Sequence, residues 1–325
     1  MAKMMWRVAK HEGVGNVVLE QVPVPEPGPG QVLARTQVSL ISRGSELWRR
    51  YALDEAVDPS MMGYSTTGIV QRVGDGVTQV APGDRVVVTA PHAEYSVRTV
   101  DDGGRPWVFR LDHPLGFEEG AFHPLATSSA GWTTAAGITP QDRVVVLGQG
   151  IVGNLVMQFA RRHRPAQLIA VDTLDLRCRL ASEVGALVVI NAAREDPVAA
   201  VKRLTTGAGA TIVIDCVGGR AGVPSFTQAQ EMLAPGGLIQ LIGLYHGAPL
   251  PLDASKMMGK RLLGGYPPHT SRAEMGRVAM EALAAGHVHV RHLITHRFPG
   301  RDAKAAFDLL YHQPDQAMGV LLLWE

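Results

Sequence analysis

The stretch VVVLGQGIVGN constrains the fold most, because a strand-like run leads through three glycines into a helix-like run. Gly148, Gly150 and Gly153 have the spacing GxGxxG. The first glycine permits a tight turn, the second lets backbone approach a pyrophosphate, and the third lets the helix pack on the strand. The helix N-terminus offers phosphate its unpaired N–H groups and a partial positive charge. The motif predicts a dinucleotide-binding turn formed by Gly148, Gln149, Gly150, Ile151, Val152 and Gly153.

A second element supports this turn at the tip of the next predicted strand, LIAVD. Asp172 lies roughly 20 residues beyond the glycine motif, where an acid can accept both ribose hydroxyls of NAD and would repel the 2′-phosphate of NADP. The alternative role, a helix-capping loop residue, is compatible with that function. Arg177 lies against the adenosine half or is a solvated helix residue. The sequence favours NAD as the cofactor.

The hydrophobic pattern divides the chain in two. Residues 127–266 alternate Val/Ile/Leu-rich runs with helical segments, which indicates a parallel sheet covered on both faces. Residues 1–126 are short β-rich runs separated by Gly and Pro, which favours a small barrel or sandwich. The tail from residue 267 ends in an apolar strand, GVLLLW, and looks like a return to the first domain. We therefore predict an α/β protein with a β-rich domain and a doubly wound Rossmann domain.

Composition narrows the class of partner. The formal net charge is +1, and no basic block indicates nucleic acid or an anionic membrane. No apolar run approaches the ~20 residues needed to cross a bilayer, and the N-terminus lacks the features of a signal peptide. The two cysteines, Cys178 and Cys216, have no metal-ligand spacing. These features predict a soluble cytoplasmic protein with a small-molecule substrate.

Several phrases together carry a family resemblance: PGPGQVLARTQVSLISRGSE, GYSTTGIVQRVGDGVTQVAPGDRVVV and LAAGHVHVRHLITHRFPGRDAKAAFDLL. With the Rossmann unit between them, the chain resembles the medium-chain dehydrogenase/reductase superfamily, the relatives of zinc alcohol and polyol dehydrogenases. The resemblance implies a GroES-like catalytic domain, 1–126 completed by 267–325, and a Rossmann domain over 127–266. It also implies an active site in the interdomain cleft and homodimers formed through the Rossmann sheet edges.

The chain departs from zinc-dependent members of that family at the positions of their zinc ligands. Where zinc-dependent relatives carry a Cys, this chain has Ser42 or Arg43, and where they carry His it has Tyr64. The third ligand position falls near Ala126, and the lobe with four structural cysteines is missing. A catalytic zinc needs about three N, S or O ligands in fixed geometry. We therefore predict that no metal is bound.

Histidines are the remaining candidate ligands. His123 lies near the third ligand position and could reach the cleft. His287, His289, His292 and His296 form a second group in a predicted exposed strand, on which His287 and His289 share one face while His292 points the other way. His92 is expected in a turn.

Tyr64 raises the central question. Without zinc another donor must stabilise the charge that develops on a carbonyl oxygen, and a hydroxyl can do so. Arg43 could lower the pKa of Tyr64, and Ser45 could pass the proton outward. The alternative is a packed aromatic with its hydroxyl on a backbone carbonyl. The predicted catalytic set is Tyr64, Arg43, Ser45, Ser42 and His123.

Two further loops follow strands whose carboxyl ends face the expected ligand crevice. These are DCVGG and LIGLYHG. We expect Cys216 and Val217 to approach the cofactor through backbone, and Tyr245 to lie near the nicotinamide.

The leading hypothesis is an NAD(H)-dependent, zinc-independent oxidoreductase that interconverts a secondary alcohol and a ketone on a sugar, cyclitol or natural-product alcohol. The phrases LISRGSE and MGYS also resemble the bacteriochlorophyllide hydroxyethyl dehydrogenases, which leaves a large macrocyclic alcohol open. A second hypothesis is an enoyl or quinone reductase, although those mostly use NADPH. A third is a non-catalytic NAD(H)-binding redox sensor.

Overall fold

The computed structural model describes residues 3–111, 114–186, 188–243, 248–265 and 270–324. The chain divides into two compact units: a discontinuous unit, Met1–Thr127 with Ser271–Glu325, and a continuous unit, Ser128–Thr270. The strands are, in order, β1 (Met4–Lys10), β2 (Val17–Pro23), β3 (Gln31–Leu40), β4 (Thr66–Val73), β5 (Arg85–Val88), β6 (Tyr95–Thr99), β7 (Val108–Arg110), β8 (Arg143–Leu147), β9 (Gln167–Asp172), β10 (Val188–Asn191), β11 (Ala210–Asp215), β12 (Leu233–Leu241), β13 (Arg261–Gly264), β14 (Ile294–Pro299) and β15 (Gly319–Leu323). The α-helices are α1 (Phe117–Gly120), α2 (His123–Ala136), α3 (Ile151–Arg162), α4 (Asp175–Glu183), α5 (Pro197–Leu204), α6 (Gly222–Met232), α7 (Ala254–Met257), α8 (Arg272–Ala284) and α9 (Ala303–His312).

A seven-stranded sheet forms the centre of the discontinuous unit, in the order β14-β15-β3-β4-β5-β7, with β6 also paired to β3. The long strand β3 joins the two halves of this sheet, because β15 pairs with its C-terminal end and β6 with its N-terminal half. One buried cluster contains Val32 of β3, Val70 of β4, and Val86 and Val88 of β5. The last strand of the chain thus lies between β14 and β3, inside the sheet formed by the first domain's strands.

A π-helix over Arg43–Tyr51 follows β3. Its wide turn is seen in the bond from Ala52 N to Leu47 O, at 2.9 Å. The segment after it is anchored by Lys10, which is 1% exposed and whose ammonium donates to the carbonyls of Leu53 and Glu55, both at 2.6 Å. A buried charge is tolerated when its hydrogen bonds are supplied. Lys10 therefore connects β1 to the end of the π-helix.

The continuous unit contains a parallel sheet in the order β10-β9-β8-β11-β12-β13. Its central strands β8, β9, β11 and β12 are buried on both faces because helices cover both sides, which explains their uninterrupted Val/Ile/Leu runs. The strand order reverses between β8 and β11, and dinucleotides bind at the carboxyl ends of the strands at such a reversal. No helix of the described chain is long and apolar enough to span a bilayer.

One element differs from its expected form. Residues 287–290 lie outside any strand, and a short 3-10 helix over Arg291–Leu293 precedes β14. Leu293 is fully buried, and its N–H donates to Val290 O at 3.0 Å. Burying that leucine in a tight turn ends the strand pattern before the histidines, so the predicted strand through His287, His289 and His292 is wrong.

Candidate functional site

Three hydroxyl groups of the discontinuous unit form a hydroxyl cluster, defined by Ser42, Ser45 and Tyr64. Tyr64 donates to Ser42 Oγ at 2.5 Å, and Ser45 Oγ lies 3.0 Å from both other oxygens. Ser42 precedes the π-helix, Ser45 lies in its first turn, and Tyr64 stands just before β4. Ser42 is 5% exposed, whereas Ser45 and Tyr64 are half-buried. The cluster is thus a chain of hydrogen-bonded hydroxyls that reaches from the protein interior toward the surface of its unit.

A buried pair, Glu46 and His92, contacts the cluster through the backbone of Ser42. Glu46 Oε2 lies 2.8 Å from His92 Nε2, and Glu46 Oε1 accepts from Ser42 N at 2.9 Å. His92 Nδ1 lies 2.8 Å from Ser39 Oγ, which also accepts from Trp324 Nε1 at 2.9 Å. A neutral His92 with hydrogen on Nε2 satisfies this arrangement, since Ser39 then donates to Nδ1 and Glu46 keeps its charge.

Gly63, the residue before Tyr64, lies directly against the backbone of His92. Gly63 has φ +112°, and a Cβ there would lie 2.6 Å from His92 N. A side chain at position 63 would therefore be strained and would collide with backbone. The glycine lets the Tyr64 segment run directly over His92.

The ionisation of Tyr64 differs from expectation. Burial, followed by the charge of Glu46, raises the pKa of Tyr64 to about 12, although hydrogen bonds from the cluster and the charge of Arg50 oppose the rise. This shift is opposite to the expected lowering, and the described contact of Arg43 is a hydrogen bond from its Nε to Leu310 O at 3.3 Å. Tyr64 therefore keeps its proton at neutral pH.

His123 has the surroundings of a core residue. It is 1% exposed, its Nε2 lies 2.8 Å from Gly276 O, and its ring contacts that of Phe109. Burial lowers the pKa of His123 to about 4. A neutral imidazole bonded to a backbone carbonyl is fixed in position, and the contacts described for His123 do not join it to the hydroxyl cluster.

The donor set at the family's ligand positions does not suit zinc. Zinc in proteins is bound by thiolate, imidazole and carboxylate, whereas Ser42, Ser45 and Tyr64 offer neutral hydroxyls already bonded to one another. The nearby imidazole and carboxylate, His92 and Glu46, are engaged with each other. Across the described ranges no three His, Cys, Asp or Glu side chains are grouped as metal ligands. The residues present therefore do not fit the metal.

The dinucleotide turn lies in the continuous unit between β8 and α3. Gly148 has φ +80°, and a Cβ at Gly153 would lie 1.7 Å from Gly148 O, so both positions require glycine. A Cβ at Gly150 would instead meet open space. The first helical hydrogen bond runs from Asn154 N to Gly150 O, which leaves the N–H groups before it available. Those groups belong to Ile151, Val152 and Gly153.

These features fit a pyrophosphate, since open space meets several backbone donors at a helix N-terminus. Gln149 has a structural part in the turn, because its side chain is fully buried and donates to Val146 O at 3.0 Å. Its backbone N–H donates to Asp172 Oδ2 at 2.6 Å. The turn is thus tied to the tip of β9.

Asp172 is 6% exposed and uses both carboxylate oxygens within its own unit. Oδ1 accepts from the N–H groups of Thr173 and Leu174, at 2.8 and 3.0 Å. Oδ2 accepts from Gln149 N and lies 3.5 Å from Arg177 Nη1. Asp172 therefore caps the turn before α4 and offsets the charge of Arg177, whose Nε is buried without a hydrogen-bond partner.

The end of β11 forms the other half of the carboxyl edge. Cys216 N donates to Leu147 O at 2.9 Å, which holds this loop beside the dinucleotide turn. Val217 fits between two glycines: a Cβ at Gly148 would lie 2.8 Å from Val217 Cγ2, and one at Gly243 would lie 2.1 Å from Val217 O. Tyr245 lies outside the described residues.

His92 contributes to these sites although it was expected in a turn. Glu46, in the phrase ISRGSE, was expected among the polar residues near the substrate, and Asp215 opens the predicted cofactor-lining stretch DCVGG, but neither was assigned a catalytic or cofactor-binding role of its own. Asp215 ends a predicted strand in the phrase IVIDCVGG, and an acid after an apolar strand is a signal that could have been read. The pairing of Glu46 with His92 had no local signal.

The comparisons with known proteins agree with this architecture. Residues 28–138 match the alcohol dehydrogenase GroES-like domain, and residues 152–268 match the zinc-binding dehydrogenase family. Sorbitol dehydrogenase of Gallus gallus is 28% identical over 328 residues, covering 90% of each chain.

Solved structures share the fold. An Escherichia coli oxidoreductase/dehydrogenase of unknown specificity involved in membrane biogenesis superimposes with a TM-score of 0.88 at 20% identity, covering 99% of this chain and 100% of that one. A structure from Sinorhizobium meliloti bound to NADP has a TM-score of 0.81 at 23% identity, with 99% of both chains covered. The predicted fold class, a GroES-like domain with a Rossmann domain, is confirmed. The chain belongs to the zinc-binding dehydrogenase family of the medium-chain dehydrogenase/reductase superfamily, whose members include relatives of the sorbitol and alcohol dehydrogenases.

Proposed function

We propose that this protein is an NAD(H)-dependent oxidoreductase that interconverts a secondary alcohol and a ketone on a hydroxylated small molecule without zinc. One observation carries the proposal: Tyr64 donates to Ser42 within a hydroxyl cluster at the positions where zinc-dependent relatives hold their metal. The cluster supplies hydrogen-bond donors where the relatives supply a Lewis acid.

The chemistry divides between coenzyme and protein. When bound, the nicotinamide donates or accepts the hydride. Tyr64 then stabilises the negative charge on the carbonyl oxygen and gives it a proton, and it regains that proton through Ser45, which is half-buried. A preorganised donor of this kind is typically worth on the order of 10²–10³ in rate. Because Tyr64 stays protonated at neutral pH, the cluster is better suited to reduction of the ketone.

Coenzyme preference rests on Asp172 and Arg177. A carboxylate at the tip of β9 disfavours a 2′-phosphate, and the nearby guanidinium of Arg177 is already paired with that carboxylate at 3.5 Å. The similar structure from Sinorhizobium meliloti holds NADP, so the fold accepts both coenzymes. We assign NAD to this chain on the charge of Asp172.

The substrate class follows from the polar character of the cluster and from the relatives. Sorbitol dehydrogenase, which is named for a polyol, aligns over nine-tenths of the chain. Adjacent hydroxyls of a polyol can exchange hydrogen bonds with Ser42, Ser45 and Tyr64, whereas an apolar substrate would gain none from them. We therefore favour a polyol, sugar, cyclitol or decorated natural-product alcohol.

We also propose a homodimer joined through the edge strand of the Rossmann sheet. The edge strand β13 pairs with β12 and is mostly exposed, with Leu262 44% exposed. Met258, just before it, is 80% exposed. An unpaired edge with apolar side chains is a pairing surface for a second copy. A molar mass of one chain in light scattering would exclude this assembly.

The experiment on Tyr64→Phe tests the proposed chemistry, because the substitution keeps the ring and removes only the oxygen. A panel of polyols and their ketones is first screened with the unmodified protein. The expected result for the variant is a 10²–10³-fold lower kcat, with NADH affinity and Tm nearly unchanged.

Tyr95→Phe is the matched control. Tyr95 lies in the same unit and its hydroxyl bonds Lys3 Nζ at 2.6 Å, outside the cluster. Turnover of Tyr64→Phe at the rate of the unmodified protein would contradict the assignment.

A further inference from the structure

Asp215 ends β11 with a carboxyl group that is completely buried. Its Oδ1 accepts two hydrogen bonds, from Val217 N at 3.0 Å and from Ser225 Oγ at 2.9 Å. Within the part of the chain that the structure describes, its Oδ2 is buried without a hydrogen-bond partner. A buried oxygen of this kind requires an explanation, because leaving a charged group half-satisfied is costly.

No cation compensates Asp215 among the residues that the structure describes. Its neighbours in the sheet are Leu147 on β8 and Leu241 on β12, and α6 contributes the hydroxyl of Ser225. The titratable neighbour is Cys216, and burial and the Asp215 charge raise the pKa of its thiol well above the ordinary value. Cys216 is therefore neutral, and within the described ranges Asp215 is the single charge among these neighbours.

Burial raises the pKa of Asp215 to about 7, with the two hydrogen bonds to Oδ1 opposing the rise. The carboxyl is therefore close to half-ionised at neutral pH. A positive charge brought near it would favour the ionised form. The carboxyl is thus able to respond to a ligand's charge.

Asp215 and Asp172, the acid predicted to bind the adenosine ribose, lie on opposite sides of the dinucleotide turn. The dinucleotide turn follows β8, Asp172 ends β9 on one side of it, and Asp215 ends β11 on the other side. A dinucleotide that spans the reversal therefore brings its nicotinamide half to β11 and β12. The loop at Val217, which Asp215 holds by its N–H, is fitted between Gly148 and Gly243 at this edge.

We propose that Asp215 senses the redox state of the coenzyme: its carboxyl ionises when NAD⁺ binds and keeps the protonation of the free protein when NADH binds. This inference rests on the proposed use of NAD(H). The oxidised nicotinamide ring carries a positive charge and the reduced ring does not, so only NAD⁺ compensates the carboxylate. Binding of NAD⁺ at pH 7 then releases the proton that Asp215 still holds, about half a proton per chain on average, and binding of NADH neither releases nor takes up one.

Isothermal titration calorimetry of the full chain with NAD⁺ and with NADH tests this at pH 7, in phosphate and in Tris. The two buffers differ in ionisation enthalpy, so the difference in heat counts released protons. We expect proton release with NAD⁺ only, and an affinity for NAD⁺ that rises about tenfold from pH 6 to pH 8. Asp215→Asn should abolish both effects and leave NADH binding unchanged.

Asp142→Asn is the matched control, because Asp142 lies just before β8 at the opposite edge of the sheet, bonded to Thr139 and Thr211. It should behave as the unmodified protein. Equal proton counts for NAD⁺ and NADH, or the same count in Asp215→Asn, would overturn the inference while leaving the coenzyme assignment intact. Failure of both coenzymes to bind would overturn both. The proton count of the unmodified protein decides the matter even if the variant does not fold.

Discussion

Glu46 Oε2 and His92 Nε2 lie 2.8 Å apart, and neither side chain reaches solvent. The pair joins the π-helix to the turn after β5, and Glu46 also accepts from the N–H of Ser42. A carboxylate fixed in this way directs its charge at the hydroxyl cluster. The acid and base chemistry of Tyr64 therefore depends on a residue that does not belong to the cluster.

Replacing Glu46 with Gln should lower the pKa of Tyr64 from about 12, since the carboxylate charge is one of the causes that raise it. The contribution of Tyr64 to tyrosinate absorbance, taken as the difference from a matched Tyr64→Phe variant, should appear at lower pH in Glu46→Gln than in the unmodified protein. Glu118→Gln, which removes a carboxylate paired with Arg297 in the same unit, is the control. An unchanged onset of ionisation would show that burial alone sets this pKa.

Metal content is a second prediction. Protein purified without added metal should contain well under one equivalent of zinc, because hydroxyls replace the thiolate and imidazole ligands that zinc requires. Treatment with a chelator should leave turnover intact, while a zinc-containing alcohol dehydrogenase treated in parallel loses its activity. Stoichiometric zinc that leaves together with activity would refute the prediction.

The pair at the tip of β9 predicts a coenzyme switch. Asp172→Ala should weaken NADH binding and strengthen NADPH binding, because it removes a repulsive charge and frees Arg177, which lies 3.5 Å away. The double variant Asp172→Ala/Arg177→Ala should lose the gain for NADPH. Fluorescence titration with both reduced coenzymes measures each affinity, and tighter binding of NADPH by the unmodified protein would contradict the NAD assignment.

Asp215 predicts how stability changes with pH. Its folded pKa, about 7, lies above the ordinary 3.8, so between these values the folded protein holds a proton that the unfolded chain has lost. The free energy of unfolding should therefore fall as pH rises through that window.

Asp215→Asn removes this penalty. Without coenzyme, its Tm should exceed that of the unmodified protein by on the order of 5 °C at pH 8 and equal it at pH 4. Calorimetric scans at both values measure the difference. A Tm gap that does not change with pH would mean that Asp215 does not titrate in this range.

Local patterns in the sequence were sufficient for the continuous unit. The glycine motif, the acid at the end of β9 and the alternation of buried strands with helices each depend on neighbours within a few residues. Gly153 is a clear case, because its missing side chain makes room for a carbonyl only five positions earlier. Such features can be read from sequence because their causes are local.

The chemistry of the discontinuous unit depends on distant residues and could not be read in the same way. The π-helix over Arg43–Tyr51 has no distinct sequence period, and Glu46 meets a histidine 46 positions away. His123 was a candidate by position, but its partner, Gly276, lies 153 residues further along. Which side chain is buried with which depends on the sheet, and the hydrophobic pattern does not encode those pairs.

The position of β15 has a consequence for synthesis of the protein. The ribosome releases residues 128–270 as one continuous stretch, so that unit can fold while the chain is still being made. The other unit has to wait, because β15 lies between β14 and β3 and Trp324 bonds to Ser39 across 285 residues. The hydroxyl cluster rests on that same network, so a nascent chain completes its glycine-rich turn before its hydroxyl cluster. Truncation before β15 would therefore remove the strand that completes the sheet of the discontinuous unit.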